Sequence, residues 1–253
     1  MKAIILAAGY ATRLYPLTLN RPKAMLPIGG MAMLDYLVRE MALIPQLDEV
    51  HIVTNHKFAA QFEKWCDEVE RDKRYPSLRF AVWDDGTSSN ETRLGAVGDM
   101  QFTIERAQLD DDVLVAASDN FFTFPLRQFT DAFYASGRDM LLAGRIDDIE
   151  TLRRFAVATL DETGRVLTLV EKPQDPPSDI GVYALYLYKR ETLPLIGEYL
   201  AGGGLPDSPG LFPEWLCKRG HELGAYLFKG ECIDIGTPES YREVCERFAN
   251  GVN

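Results

Sequence analysis

Over the first 140 residues, short apolar runs alternate with stretches whose apolar positions recur every three or four residues. Lys2–Ala7, Glu49–Thr54, Leu78–Trp83 and Val113–Ala117 are aliphatic runs of strand length. Met31–Ile44, Ala59–Arg71, Thr92–Ala107 and Leu126–Ser136 carry helical spacing. Such alternation predicts right-handed crossovers and a mostly parallel sheet with helices on both faces. Beyond residue 140 the pattern changes. Met140–Arg145, Phe155–Leu160, Val166–Glu171 and Gly181–Tyr188 are strand-like and closely spaced, and Glu162-Thr163-Gly164 has the composition of a hairpin turn. This part is expected to be an antiparallel or mixed extension. Ala201-Gly202-Gly203-Gly204 reads as a flexible stretch ahead of the loop Leu205-Pro206-Asp207-Ser208-Pro209-Gly210. Thr237-Pro238-Glu239-Ser240 combines a hydroxyl cap, a first-turn proline and an early carboxylate. Tyr241, Val244, Cys245 and Phe248 follow at helical spacing, so a last helix packs on the body.

The 253 residues, 46% of them hydrophobic, suffice for one large α/β domain with a sizeable core. A net charge of −11 argues against wrapping by nucleic acid or adhesion to an anionic membrane. It is compatible with a polyphosphate ligand, which needs only local cations and a metal. Cys66, Cys217, Cys232 and Cys245 form no C-x-x-C pair, which suits reduced thiols in a cytoplasmic protein. The opening apolar run is too short for a secretion signal, and no run reaches membrane-spanning length. His51, His56 and His221 are scattered and read as structural or exposed.

Candidate chemistry concentrates in a few places. The first strand opens into the small-residue turn Ala7-Ala8-Gly9-Tyr10-Ala11, followed at once by Thr12 and Arg13, with Lys23 further on. Small residues let backbone N–H groups close on phosphate oxygens, and Arg13 and Lys23 can neutralise a polyphosphate. Ser118-Asp119-Asn120 follows an apolar strand, and ligands in open α/β sheets gather at the carboxyl ends of strands. A second aspartate, Asp234, lies between apolar residues just before the capped last helix.

Leu6-Ala7-Ala8-Gly9-Tyr10-Ala11-Thr12-Arg13-Leu14, then Pro22-Lys23-Ala24-Met25-Leu26-Pro27, resembles the L-A-A-G-x-G-T-R-L … P-K-x-x-L-P signature of sugar-1-phosphate nucleotidylyltransferases, in a short, glucose-1-phosphate thymidylyltransferase-like form. The family's second glycine is Ala11 here, which predicts a turn with negative φ at that point. The resemblance implies a Rossmann-like, glycosyltransferase-A-type mixed sheet flanked by helices, with a smaller mixed or antiparallel acceptor-side extension. It implies one domain, with residues 1–140 mainly nucleotide-binding and residues 141–253 mainly acceptor-binding together with the last helix. Asp119 and Asp234 would bind Mg²⁺, and two carboxylates with phosphate oxygens suit a hard octahedral ion. Arg13 and Lys23 would hold the triphosphate. Val170-Glu171-Lys172-Pro173 matches the E-K-P motif, in which Lys172 contacts the acceptor phosphate and Glu171 its sugar hydroxyls. Backbone groups of Leu6, Ala8 and Gly9, with Thr12, would read the nucleotide. Asp85 and Gly95 fall in the stretch that replaces the base-recognition loop. Phe155-Ala156 stands where the family has a sugar-contacting Tyr-Gly pair, and Tyr183 and Asp207 complete the acceptor set.

Other classes fit less well. A dehydrogenase needs G-x-G-x-x-G and an acidic residue after the second strand, yet the turn lacks the later glycines and Val53-Thr54-Asn55 has no carboxylate. A glycosyltransferase needs D-x-D after a strand, whereas Asp110-Asp111-Asp112 precedes one. A non-catalytic regulatory homologue would tend to lose the phosphate cations or metal aspartates, and Arg13, Lys23, Asp119, Lys172 and Asp234 are all retained. The expected reaction joins a nucleoside triphosphate to a sugar 1-phosphate, releasing pyrophosphate. UTP or dTTP is favoured, and CTP would be favoured instead if Asp84 or Asp85 turns inward to accept the cytosine amino group. Expected partners are these two substrates alone, without nucleic acid or membrane, in a monomer or homodimer.

Overall fold

The structure is a computed structural model that describes residues 1–230 and 232–249, apart from the side chains of Asn120, Ile233, Asp234 and Ala249. In chain order the elements are β1 (Lys2–Leu6), β2 (Pro27–Ile28), β3 (Met31–Ala32), α1 (Met33–Met41), β4 (Glu49–Thr54), α2 (Ala59–Arg71) and β5 (Arg79–Asp84). Next come α3 (Ala96–Ala107), β6 (Val113–Ala117), β7 (Asn120–Phe122), α4 (Leu126–Ser136), β8 (Asp139–Arg145), α5 (Ile149–Leu152), β9 (Ala156–Leu160) and β10 (Val166–Glu171). The chain then forms β11 (Ile180–Tyr188), α6 (Leu193–Ala201), α7 (Leu211–Lys218), β12 (Leu223–Leu227), β13 (Cys232–Asp234) and α8 (Pro238–Ala249). Two compact units result. One comprises Ala3–Arg93, Ala116–Leu126 and Gly230–Asn253, and the other Met1–Lys2, Leu94–Val115 and Arg127–Lys229. The last helix belongs to the first unit, where α8 packs together with Ile235 on residues of the signature segment near the N-terminus.

In the first unit the strand order is β1-β4-β5, with β4 and β5 parallel from Glu49 opposite Arg79 to Thr54 opposite Asp84. The α1 positions Met33, Leu34, Leu37, Val38 and Met41 are buried, one stripe at helical spacing. A second core gathers Leu14, Leu26, Ile28, Met33, Ile235 and Val244, with Tyr36, Tyr241 and Phe248 packed against it. Tyr241 donates its hydroxyl to the Pro27 carbonyl at 2.6 Å, tying α8 to the second half of the signature. The predicted cap is present, since the Ser240 N–H donates to Thr237 Oγ1 at 3.2 Å. β13 pairs antiparallel with β7, an element the sequence pattern did not predict.

The second unit is mixed. β9 pairs antiparallel with both β10 and β11, β8 pairs antiparallel with β11, and β12 runs parallel to β8. The β9–β10 hairpin turns where expected. Asp161 Oδ1 accepts the Thr163 N–H at 2.8 Å and the Arg165 N–H at 3.0 Å, and Gly164 takes φ 79°. Helix α3 starts at Ala96, later than its periodicity suggests, because Gly95 at φ 81° and ψ 162° interrupts the helical path. The triple-glycine stretch is a packed helix end rather than a loose link. Gly202, Gly203 and Gly204 donate to the carbonyls of Glu198, Leu200 and Tyr199 at 2.9, 3.0 and 3.0 Å. Gly204 lies so close beneath the Tyr199 ring that a Cβ there would stand 2.4 Å from it. Asp139, with a fully buried side chain, accepts from the Lys189 N–H (2.6 Å) and the Thr192 hydroxyl (2.7 Å) and faces His221 Nε2 at 2.6 Å. No described helix is long and apolar enough to cross a membrane.

Candidate active site

The signature turn is pinned on three sides where β1 ends. The Leu6 carbonyl accepts the Ser118 N–H at 3.1 Å, and the Ala7 N–H donates to the Val53 carbonyl at 2.8 Å. The Ala8 carbonyl accepts Asn55 Nδ2 at 2.8 Å from a buried side chain. Gly9 is exposed, and nothing lies within 4 Å of where its Cβ would stand. Tyr10 turns inward and donates to the Thr87 carbonyl at 3.2 Å. The backbone N–H groups of Gly9 through Arg13 meet no protein acceptor among the described residues. Consecutive N–H groups left open in a tight turn form an anion-binding concavity.

At Ala11 the expectation of negative φ is corrected, for the residue is left-handed at φ 47° and ψ 45°. An L-residue in this region is strained by roughly 1–2 kcal/mol. Its carbonyl is held there by two donors, Thr18 Oγ1 at 2.8 Å and the Leu14 N–H at 3.0 Å. The next three residues make one 3-10 turn, in which buried Leu14 anchors the chain while Thr12 and Arg13 face outward. The Arg13 guanidinium has no ion-pair or hydrogen-bond partner among the described residues. Lys23 begins a second 3-10 turn and places Nζ 2.8 Å from Asp119 Oδ2. The Lys23 side chain is 11% exposed and that of Asp119 38%.

Asp234 stands on β13 opposite Asn120, the residue after Asp119, so the two aspartates occupy neighbouring backbone positions in this unit. The Asp234 side chain lies outside the described residues. The donors fit a magnesium ion in kind: the set is all oxygen, and the Asp119 carboxylate already attracts a cation in the Lys23 ammonium. Among the described residues no group of three or more His, Cys, Asp or Glu side chains forms a fuller metal cage. Asp84 and Asp85 close their own loop. Asp84 accepts the Gly86 N–H at 2.8 Å and faces His56 Nδ1 at 2.6 Å, which raises the imidazole pKa. Asp85 Oδ1 accepts both the Thr87 N–H and its hydroxyl at 2.7 Å.

The acceptor candidates come together in the second unit. Lys172 directly follows β10 with φ 47°, left-handed backbone directly before Pro173, where the preceding residue normally stays extended. Its N–H donates to the Phe155 carbonyl at 3.0 Å. Its ammonium donates to Ser208 Oγ at 2.9 Å and lies 3.4 Å from Glu171 Oε1. Strain of this kind, held in place by surrounding bonds, clusters at ligand-binding positions. The Glu171 side chain is 11% exposed and occupies space that only a glycine leaves, since a Cβ at Gly210 would stand 2.0 Å from its Oε2. The Glu171 N–H donates to Glu214 Oε2 at 3.1 Å. Phe155 packs edge-on against Tyr183 at 5.1 Å, and Tyr183 against Phe228 at 5.3 Å, forming an aromatic wall.

The Asp207 carbonyl accepts the Ala96 N–H at 3.4 Å. Gly95 lies in this unit too, pressed on Pro206 and Asp207. Sequence reasoning singled out the 205–210 loop but not Ser208, Gly210 or Glu214. The one available signal was the Asp-Ser-Pro-Gly composition, which marks a turn without saying what it touches.

The architecture and signature define a nucleotidyl transferase. Residues 2–251 match the family described as Nucleotidyl transferase, and the chain belongs to it. It is 28% identical over 96% of its length to a Sulfolobus acidocaldarius protein with the proposed activity of a mannose-1-phosphate guanyltransferase. It is 26% identical over 94% of its length to the mannose-1-phosphate guanylyltransferase of Mycobacterium tuberculosis. The chain spans 62% of the length of each of these relatives. Among solved structures it resembles a Bacillus anthracis protein with the proposed activity of a glucose-1-phosphate thymidylyltransferase. The TM-score is 0.78 at 24% identity, and the match covers 100% of this chain and 96% of that one. That likeness establishes the Rossmann-like α/β fold with its smaller antiparallel extension.

Proposed function

We propose that the protein transfers a nucleoside monophosphate from a nucleoside triphosphate to a hexose 1-phosphate, releasing pyrophosphate. The observation that carries this reading is the signature turn, where a run of N–H groups and the Arg13 guanidinium, all without partners among the described residues, share one unit with the Lys23–Asp119 pair. An acceptor phosphate oxygen attacks the α-phosphorus. The new P–O bond forms as the bond to the bridging oxygen of the β-phosphate breaks, and that electron pair leaves with pyrophosphate. A phosphate monoester has its second pKa near ~6 and is already largely dianionic, so no general base is required. Charge neutralisation and positioning then dominate.

Arg13 and the open N–H groups hold the triphosphate, Lys23 neutralises it, Lys172 holds the acceptor phosphate, and Glu171 takes sugar hydroxyls. Asp119 and Asp234 would hold Mg²⁺, which would supply positive charge to the reacting phosphates. For the base we propose UTP or dTTP. Both loop aspartates that could favour CTP already accept N–H groups of their own loop. The guanylyl names of two relatives favour a second reading, GTP. A matrix of five triphosphates against hexose 1-phosphates, read by pyrophosphate release with Mg²⁺ and with EDTA, tests all of this. Release that is absent in every cell, or indifferent to EDTA, refutes the reading.

A further inference from the structure

The turn that presents Lys172 borders an open cleft of about 430 Å³ lined by Arg153, Lys172, Pro173, Gln174 and Asp175. Nothing in the family signature points to Arg153. Arg153 nevertheless lines this cleft, and its guanidinium is held at two acceptors. Nε donates to the Gln174 carbonyl at 2.8 Å, and Nη1 donates to Glu150 Oε1 at 2.7 Å. Nη2 meets no protein acceptor among the described residues. The Glu150 side chain is 71% exposed, and an ion pair so open to water is weak and readily exchanged for a ligand anion. One Arg153 bond therefore braces the strained Lys172 turn, and Arg153 and Lys172 line the same cleft.

We propose that Arg153 is a second cation of the acceptor subsite, and that it and Lys172 together take the phosphate dianion of the acceptor. This rests on the reading of Lys172 given above. A phosphate monoester carries about −1.5 to −2 charges near neutral pH, which one ammonium leaves under-neutralised. A guanidinium supplies paired planar donors that match two phosphate oxygens, whereas an ammonium acts as a point charge. Three carboxylates stand nearby: Glu150 on Arg153, Glu171 on Lys172, and Asp175 on the cleft lining. Asp175 repels phosphate and suits a sugar hydroxyl, so the anion belongs on the Arg153 and Lys172 side.

The test is a calorimetric titration of the full chain with inorganic phosphate and with glucose 1-phosphate at fixed ionic strength, and separately with UTP. Arg153→Gln is expected to weaken both phosphate probes roughly 5–20-fold, as loss of a charge-assisted contact should, while UTP binding stays within about twofold. Glu150→Gln releases the guanidinium and should tighten both probes roughly two- to threefold. A purely structural arginine would not produce that gain. If Lys172→Ala weakens the probes and Arg153→Gln does not, this inference fails and the Lys172 reading stands. If neither variant changes probe binding, both fail. Weakening by Glu150→Gln as well would mean that Arg153 acts only through the shape of the turn, and that also overturns the proposal.

Discussion

Replacing Gly95 by alanine isolates what the backbone of the 205–210 loop contributes. Gly95 combines φ 81° with ψ 162°, a region essentially closed to side-chain-bearing residues, where occupancy costs about 1–3 kcal/mol. The added Cβ would stand 2.7 Å from Pro206 C and O and 2.9 Å from Asp207 Cα. All three are backbone atoms, so no rotamer change relieves the overlap and the loop itself must move. Moving it strains or breaks the Val97 N–H to Pro206 O bond (2.8 Å) and the Ala96 N–H to Asp207 O bond (3.4 Å). Each is worth about 1 kcal/mol net. Together these effects predict a loss of about 2–5 kcal/mol in urea unfolding. Because Ser208 follows directly and accepts from Lys172 Nζ, the acceptor KM should rise. Gly9→Ala is the matched control, since its Cβ would meet nothing within 4 Å. Its stability should change by less than about 1 kcal/mol. If Gly95→Ala loses less than about 1 kcal/mol and keeps its acceptor KM, the loop is not seated on Gly95 as argued.

Ala11→Gly should raise stability by about 0.5–1 kcal/mol, the relief of left-handed strain less the extra freedom of glycine in the unfolded chain; a loss above 1 kcal/mol in the same assay contradicts the strain argument. Asp119→Asn should cut turnover on the order of 10²–10⁴-fold in pyrophosphate-release assays, and near-native turnover would remove Asp119 from the site. Lys23→Ala should raise the KM for triphosphate and Lys172→Ala that for sugar phosphate, so a rise confined to the same substrate in both variants rejects the division of roles. His221 titrates above its ordinary 6.5, chiefly through its hydrogen bond to Asp139, with burial opposing. A raised folded pKa stabilises fully below the unfolded value and fades as pH rises through the folded one. His221→Gln should therefore lower the thermal midpoint more at pH 6 than at pH 9, and an equal loss at both would refute the charged pair.

How much could be read without a structure depends on how local each determinant is. β4, β6, α2, α4 and β10 fall where their periodicity puts them, because a side-chain period of two or near 3.6 is written in adjacent residues. The cap at Thr237 is local in the same sense, as are the residue types of the signature turn and the Glu171-Lys172-Pro173 end of β10. Their residue types were legible for that reason. The rest was decided by partners remote in sequence. Ala11 is left-handed because the Thr18 hydroxyl and the Leu14 N–H converge on its carbonyl, and alanine alone favours the opposite sign of φ. The triple glycine closes a helix end because its three N–H groups bond back to helix carbonyls and Gly204 seats under the Tyr199 ring, although glycine composition alone suggests a loose link. Ser208 meets Lys172, Gly210 makes room for Glu171, and β13 sets Asp234 opposite Asn120 across more than a hundred residues of chain. Residue type and spacing thus determined which groups this protein carries. Only the tertiary structure decided which of them meet, because a backbone torsion or a missing Cβ takes its meaning from whatever the rest of the chain brings against it.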